Sequence, residues 1–177
     1  MKYKIKKKRK SKSKQHTKSI PKKYAPKRLS PKDKKKQIQA IRLSRKAYKK
    51  GKYLSRPKVK SFKSKTSSHI VNAKKIYKVD KILPSNELAK KTGCSTKALN
   101  KIIAKGKGAY FSGGSRPNQT ASSWGYARLA SAITGGKSAA VDFSILEKGC
   151  STKSKALQLA KQSRKKHGKG TRKVPKV

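Results

Sequence analysis

Carboxylates and histidines most often carry general acid and base catalysis, and this chain has few of them. Five Asp and Glu residues and three His residues occur among 177. The histidines lie far apart, in basic or linker sequence: His16, His69 and His167. Asp142 and Glu147 are the closest pair of carboxylates, and salt bridges to Arg128 or Lys148 are their simplest role. We therefore expect no enzyme, no cofactor and no small-molecule substrate.

The two cysteines, Cys94 and Cys150, are the next candidates for chemistry. Neither has a second Cys or a His at metal-ligand spacing, so we expect no zinc site. They could form at most one disulfide, and for a reducing compartment the expectation is two small semi-buried thiols. Both lie in the same pentapeptide, Gly-Cys-Ser-Thr-Lys, at 93–97 and 149–153. Because the flanks do not match, we interpret this repeat as chance reuse of a helix stop-and-cap signal.

One segment has a partial likeness to a phosphate-binding loop. Residues 131–138 end in Gly136-Lys137-Ser138. Ser131 stands where the first glycine of such a loop is required, and no strand precedes it. This excludes nucleotide hydrolysis as the expected activity.

The strongest signal is charge. Lys and Arg number 53 against five carboxylates, a net charge of +48, and residues 1–80 contain 32 of these cations. Self-repulsion of this size predicts a polyanion or a compensating assembly as partner. Lys outnumbers Arg 44 to 9, which favours contact with phosphate in bulk over sequence-specific recognition. The predicted polyanion- or partner-binding residues are Lys6, Lys7, Lys8, Arg9, Lys10, Lys34, Lys35, Arg42, Arg45, Lys46, Lys49, Lys50, Lys165 and Lys166.

Composition limits the fold to one modest core. Hydrophobic residues make up 32% of the chain, below ordinary usage. No apolar run is long enough to span a bilayer, and the first 18 residues lack the apolar stretch of a secretory signal. We expect a soluble protein made inside a cell, since neither a membrane span nor a signal is present.

These limits predict a mainly α fold with four parts. Residues 1–29 are a basic extended arm, 30–66 a basic helix and linker, 67–165 a small helical core, and 166–177 a basic tail. Residues 104–121, rich in Gly, Ser and Pro, are predicted to be a loop. Short strands within 139–146 are left open as an alternative to helix. The predicted core is Trp124, Leu129, Ile133, Val141, Phe143 and Leu146.

Helix signals are clearest at two places. Ser30 can cap a helix with Pro31 at its first position and Asp33 in its first turn. Over residues 84–103, Ser85 and Ser95 can each cap a short helix, and Gly93 can end the first. A plain helical hairpin is the simpler interpretation, and a DNA-binding helix-turn-helix is the alternative. In the alternative, the residues facing DNA are Thr96, Lys97, Asn100 and Lys101.

One loop carries a family resemblance. It consists of Gly113, Gly114, Ser115, Arg116, Pro117, Asn118 and Gln119. With the flanking ranges 105–120, 123–131, 135–137 and 141–143, and with 44–53, it resembles an uncharacterised domain of giant double-stranded DNA viruses of algae and protists and of some marine phages. Gly113 departs from the Ser often found there. The resemblance implies a viral origin and a virion- or genome-associated role, with no catalytic residue.

Charge and resemblance together favour a small basic minor capsid or internal virion protein. It is expected to cement the inner side of the capsid, with major and minor capsid proteins as partners and the virion as location, after assembly in the host cytoplasm or nucleus. The identity of the polyanion is left open, and the alternatives are nucleic acid, an anionic membrane surface and acidic protein. The alternative is a nucleic-acid-binding protein that condenses viral DNA.

Overall fold

Capping side chains begin several helices at the residues that the sequence predicts. The Ser30 hydroxyl accepts a hydrogen bond from the Asp33 amide at 3.2 Å, with Pro31 in the first turn. Ser85 and Ser95 cap the helices that begin at Asn86 and Thr96 in the same way, and Gly93 between these two helices has a φ of +68°. Glycine is favoured at positions with a left-handed backbone conformation, so the tight turn between these helices follows from local sequence.

The computed structural model describes residues 20–169, and these residues form α-helices joined by turns and one extended linker. A short 3-10 helix, Lys22–Tyr24, precedes them. The helices are α1 (Pro31–Tyr48), α2 (Ser68–Tyr77), α3 (Asn86–Thr92), α4 (Thr96–Gly113), α5 (Ala121–Ile133), α6 (Lys137–Val141), α7 (Phe143–Gly149) and α8 (Lys155–His167). The mainly α prediction is confirmed. Residues 139–146 lie in α6 and α7, so the strand alternative was wrong.

Helix α4 is longer than the sequence suggested, since it includes the first half of the predicted loop over 104–121. Its glycines serve helix packing. A Cβ on Gly106 would lie 2.6 Å from the Gly125 Cα of α5, closer than real side chains allow. A Cβ on Gly125 would likewise lie 3.0 Å from the Ile103 carbonyl oxygen. Because Gly106 and Gly125 have no side chains, α4 and α5 can approach closely. Glycine in this stretch therefore indicates a helix contact and not a loop.

The main apolar core lies among α2 to α8, and residues 67–167 are called the helical core below. Four of the six predicted core residues are buried in it: Leu129, Ile133, Phe143 and Leu146. Val141 is 40% exposed, and Trp124 is only half-buried. The Trp124 ring packs edge-on against Tyr24, with centroids 5.7 Å apart. Trp124 therefore contacts the N-terminal segment, which we define as residues 20–66.

Asp142 is a buried carboxylate inside the helical core. It accepts hydrogen bonds from Arg128 Nε at 2.7 Å and Arg128 Nη2 at 2.8 Å. Lys105 Nζ lies 2.8 Å from Asp142 Oδ1, the oxygen that also accepts from Arg128 Nη2. The predicted salt bridge to Arg128 is confirmed. Since these partners come from α5 and α4, the buried charge ties both helices to the junction of α6 and α7.

The two Gly-Cys-Ser-Thr-Lys copies lie against each other. Ser95 N–H donates to the Gly149 carbonyl at 2.7 Å, and Ser151 N–H donates to the Gly93 carbonyl at 2.8 Å. A disulfide joins Cys94 and Cys150 at this antiparallel bridge. The expectation of two thiols was wrong, because the fold brings together cysteines 56 positions apart. Interpreting the repeat as a stop-and-cap signal alone misses this pairing.

Within residues 20–169, none of the helices combines the length and apolar character needed to cross a membrane.

Candidate polyanion interface

Helix α1 presents a basic face to solvent. Its buried positions are Gln37, Ile41 and Ser44, which recur at helical spacing. The exposed cations of the other face are Lys32, Lys35, Lys36, Arg42, Lys46, Lys49 and Lys50. Eighteen residues give this face a length of about 27 Å. Asp33 is the only carboxylate of α1 and of the whole N-terminal segment, so it can neutralise at most one cation of this face.

The predicted contact residues occupy three different environments. Lys35, Arg42, Lys46, Lys49 and Lys50 are exposed on this face, as are Lys165 and Lys166 in the last turn of α8. Lys34 and Arg45 are only partly exposed. Lys6, Lys7, Lys8, Arg9 and Lys10 lie outside the described residues. The face therefore gathers five of the predicted cations on one surface.

Arg45 is turned inward, away from the basic face. Its Nη2 donates to the Gly113 carbonyl at 2.7 Å. Burial lowers the pKa of this guanidinium from its ordinary value. Arg45 therefore positions the loop that follows α4, which differs from the polyanion contact that the sequence suggested.

Arg56, which sequence reasoning did not single out, lies beside Arg45. Its Nη2 donates to Ser115 Oγ at 2.8 Å and its Nη1 to the Tyr110 carbonyl at 2.9 Å. The guanidinium also stacks on the Tyr110 ring, 3.5 Å from the centroid. Burial lowers the pKa of Arg56. A signal existed: Arg56 is the only Arg between Arg45 and Arg116, in a stretch otherwise supplied with Lys.

The loop Gly113–Gln119, called the motif loop below, uses its polar groups to hold the N-terminal segment. The Ser115 carbonyl accepts from Gln37 Nε2 at 3.2 Å. Asn118 Oδ1 accepts from the Val59 amide at 2.8 Å, and its Nδ2 donates to the carbonyls of Val59 at 3.0 Å and Phe62 at 2.7 Å. Asn118 thus satisfies backbone groups of the linker in the way that a neighbouring β-strand would.

The remaining motif residues divide between inside and outside. Gly114 has a φ of +98° and lies against Ile41, where a Cβ would come within 3.0 Å of the Ile41 side chain. Pro117 is buried, whereas Arg116 is exposed. Gln119 Nε2 donates to Ser64 Oγ at 3.4 Å. The residues that carry the family resemblance are therefore used chiefly for internal packing.

Three aromatic rings meet where α1 ends, and we call Tyr48, Tyr53 and Phe111 the aromatic platform. Tyr53 packs edge-on against Phe111 and Tyr48, with centroids 5.1 and 5.9 Å apart. Tyr48 is stacked parallel to Phe111 at 6.3 Å. Tyr53 remains 69% exposed. The basic face thus ends in a fixed group of rings, one of them mostly in solvent.

The α3–α4 hairpin presents the predicted groove-facing residues unevenly. Lys97, Asn100 and Lys101 are exposed, and Thr96 is half-buried. Asn100 Nδ2 donates to the Thr96 carbonyl at 3.1 Å. On the same exposed side, α4 continues through Lys107 to Phe111. The candidate hairpin contacts and the aromatic platform are therefore connected along one helix.

An open groove of about 410 Å³ lies between α7 and α8. Phe143, Glu147, Lys161, Arg164 and Lys165 line it. Asp142 is enclosed in its ion pair and does not share this groove with Glu147. Among residues 20–169, no cluster of three or more His, Cys, Asp or Glu side chains could hold a metal ion.

Comparison with known protein families gives a match. A family described as "Family of unknown function (DUF5824)" matches residues 21–148. This range contains the N-terminal segment from residue 21 onward, α4, the motif loop and α5. No curated protein and no solved structure matches the chain.

Proposed function

We propose that this chain, which belongs to the DUF5824 family of unknown function, is a small basic structural protein of a virion. It cements the inner side of the capsid by contact with a polyanionic partner. The observation that carries this proposal is charge. Residues 20–169 contain 40 Lys and Arg side chains against five carboxylates. Asp142 accounts for both ion pairs found in this range. The surplus charge requires neutralisation by another molecule.

Two further observations support a structural role. The motif loop binds other parts of the same chain, so the residues that define the resemblance build a scaffold. The basic face of α1 runs along a helix of 18 residues, which suits contact with an extended partner. The viral assembly itself is suggested by the resemblance of the motif loop and its flanks.

The test is the location of the chain in purified particles. Peptides of the chain are quantified by mass spectrometry against the major capsid protein, before and after nuclease treatment of opened particles. We expect a fixed ratio to the major capsid protein that survives removal of the genome. Presence in infected cells but absence from particles would overturn the proposal.

A second candidate function is nucleic-acid binding, and the hairpin favours it. Three residues, 93–95, separate α3 from α4, and the second helix exposes Lys97, Asn100 and Lys101 near its start. This resembles the arrangement of a helix-turn-helix. If about ten phosphates are neutralised, the log affinity for duplex DNA falls with log salt with a slope of about −9. A slope near zero would exclude this candidate.

A further inference from the structure

Tyr53 is the most exposed large hydrophobic side chain of the described residues, at 69%. An aromatic ring left in water forgoes the stabilisation that burial would provide. The ring is nevertheless held in position by Phe111 and Tyr48, each in edge-to-face contact. Gly108 of α4 leaves room for this arrangement, since a Cβ there would lie 3.3 Å from the Tyr48 hydroxyl. The structure therefore presents a positioned ring with most of its surface open.

The cations around this ring are exposed. Lys49, Lys50 and Lys52 directly precede Tyr53, and Lys107 is one helical turn before Phe111. The sequence contains no carboxylate from 34 to 79 or from 88 to 141. Positive charge and an open aromatic ring thus lie together without an acidic neighbour in their own segments.

We propose that the aromatic platform is a stacking site for unpaired bases of single-stranded nucleic acid, with the strand phosphates on Lys49, Lys50, Lys52 and Lys107. The inference rests on the proposed polyanion binding and names its chemical class. Every base has a flat π face, so stacking tolerates any sequence and agrees with the excess of Lys over Arg. A duplex keeps its bases stacked inside, and an acidic peptide would use the lysines without needing the ring.

The experiment compares two strands that differ only in their bases. The full chain is titrated into a fluorescein-labelled 20-nucleotide oligo-dT and into an abasic strand of the same length, and anisotropy is recorded at several salt concentrations. We expect the oligo-dT to bind about tenfold more tightly, since one stacked base contributes on that order. Tyr53→Ala should remove this preference and leave the affinity for the abasic strand unchanged. Tyr53→Phe, which keeps the ring, should retain the preference.

Two matched variants separate stacking from other effects. Val71→Ala truncates a 55% exposed apolar side chain on α2, away from the platform, and should leave both affinities unchanged. Lys50→Gln should reduce the salt slope by about 0.7 for single strands, without changing the preference for bases. Thermal unfolding of every variant establishes that the fold is intact.

Equal affinity of the unaltered chain for intact and abasic strands would overturn the platform while leaving the polyanion proposal in place. Retention of the preference by Tyr53→Ala would overturn it as well. A duplex that binds more tightly than oligo-dT, with the same loss on Tyr53→Ala, would also contradict a site for unpaired bases. Loss of binding to both strands and to duplex DNA would overturn the platform and the nucleic-acid-binding candidate together, whereas the proposed capsid role is decided by the particle test.

Discussion

The N-terminal segment and the helical core are held together by different physical means. The helical core, residues 67–167, contains a large apolar cluster, a buried ion pair and a disulfide. The N-terminal segment, residues 20–66, has a small apolar cluster of Leu29, Val59 and Phe62, and depends on polar contacts with the motif loop. The segment carries 19 cations and one carboxylate, whereas the core carries 20 and four in twice the length.

This difference shows how a segment of high charge density can be ordered. Lysine-rich sequence offers little apolar surface to bury, so order must come from hydrogen bonds that satisfy its backbone. Asn118, Ser115 and Gln37 provide such bonds between segment and core. The charged side chains are then left in solvent, where a partner can reach them.

The largest effect is expected inside the core. Asp142→Asn removes the charge that neutralises Arg128, and leaving one partner of a buried pair costs about 3–5 kcal/mol. Urea unfolding followed by circular dichroism measures the loss. Glu147→Gln is the matched control, because it removes the same charge at an exposed position and should change the free energy of unfolding by about 0.5 kcal/mol or less. Equal effects of the two variants would contradict the distinction between buried and exposed carboxylates.

The second test concerns the covalent link of the core. Replacing both Cys94 and Cys150 with Ser removes a link that closes a long loop, and should lower the free energy of unfolding by about 2–4 kcal/mol. Dithiothreitol should destabilise the unaltered chain by a similar amount and leave the double variant unchanged. Urea midpoints with and without reductant provide the measurement. If the reductant leaves the unaltered chain's midpoint in place, the disulfide is not formed.

The third test separates the segment from the core. Asn118→Gly removes three hydrogen bonds to the linker, while glycine still accepts the φ of +58° found there. We expect hydrogen exchange of the Val59 amide to rise about tenfold to a hundredfold, as when a local region opens with a lower free energy. The exchange of α5 should stay unchanged.

Asn118→Ala adds backbone strain at the same position, because alanine disfavours positive φ. It should therefore open the linker more than Asn118→Gly. A uniform increase in exchange across both regions would contradict the proposal that the motif loop holds the segment locally.

The smallest expected effect is on acid titration of the segment. The Ser61 hydroxyl and the Ser61 amide donate to Asp33 at 2.6 and 2.8 Å and hold the pKa of Asp33 below its ordinary value. Because the pKa of Asp33 is lower in the folded state, its hydrogen bonds to Ser61 contribute their full stability above the ordinary pKa, near 4. This stability is lost as the pH falls through the lowered pKa. The Ser61 amide chemical shift should follow this titration. In Asp33→Asn it should stay constant over the same pH range.

Much of the helical structure was predictable because caps are local. Ser30, Ser85 and Ser95 each bond an amide three residues ahead, so the sequence window that specifies the bond is short. Thr120, the cap of α5, was not predicted, because its capping box with Ser123 lies at the end of a stretch interpreted as a loop. The predicted boundaries of arm, helix-linker, core and tail stay predictions.

The candidate site was predictable only in part. Net charge identified the cations of α1, and helical periodicity predicts one exposed face for Arg42, Lys46 and Lys49. Neither showed that Arg45 donates to the Gly113 carbonyl, or that the half-buried Arg56 donates to the Tyr110 carbonyl. Both depend on carbonyl groups more than 50 positions away in the sequence.

By itself, the sequence determined the mainly α character and several helix starts, because capping and periodicity act over a few residues. Its net charge, a property of the whole chain, predicts an anionic partner. Only the tertiary structure decided that Cys94 meets Cys150, that Gly106 packs on Gly125, and that the motif loop holds the linker. These pairings join distant positions through shape and unsatisfied hydrogen-bonding groups. No local window of sequence contains both partners.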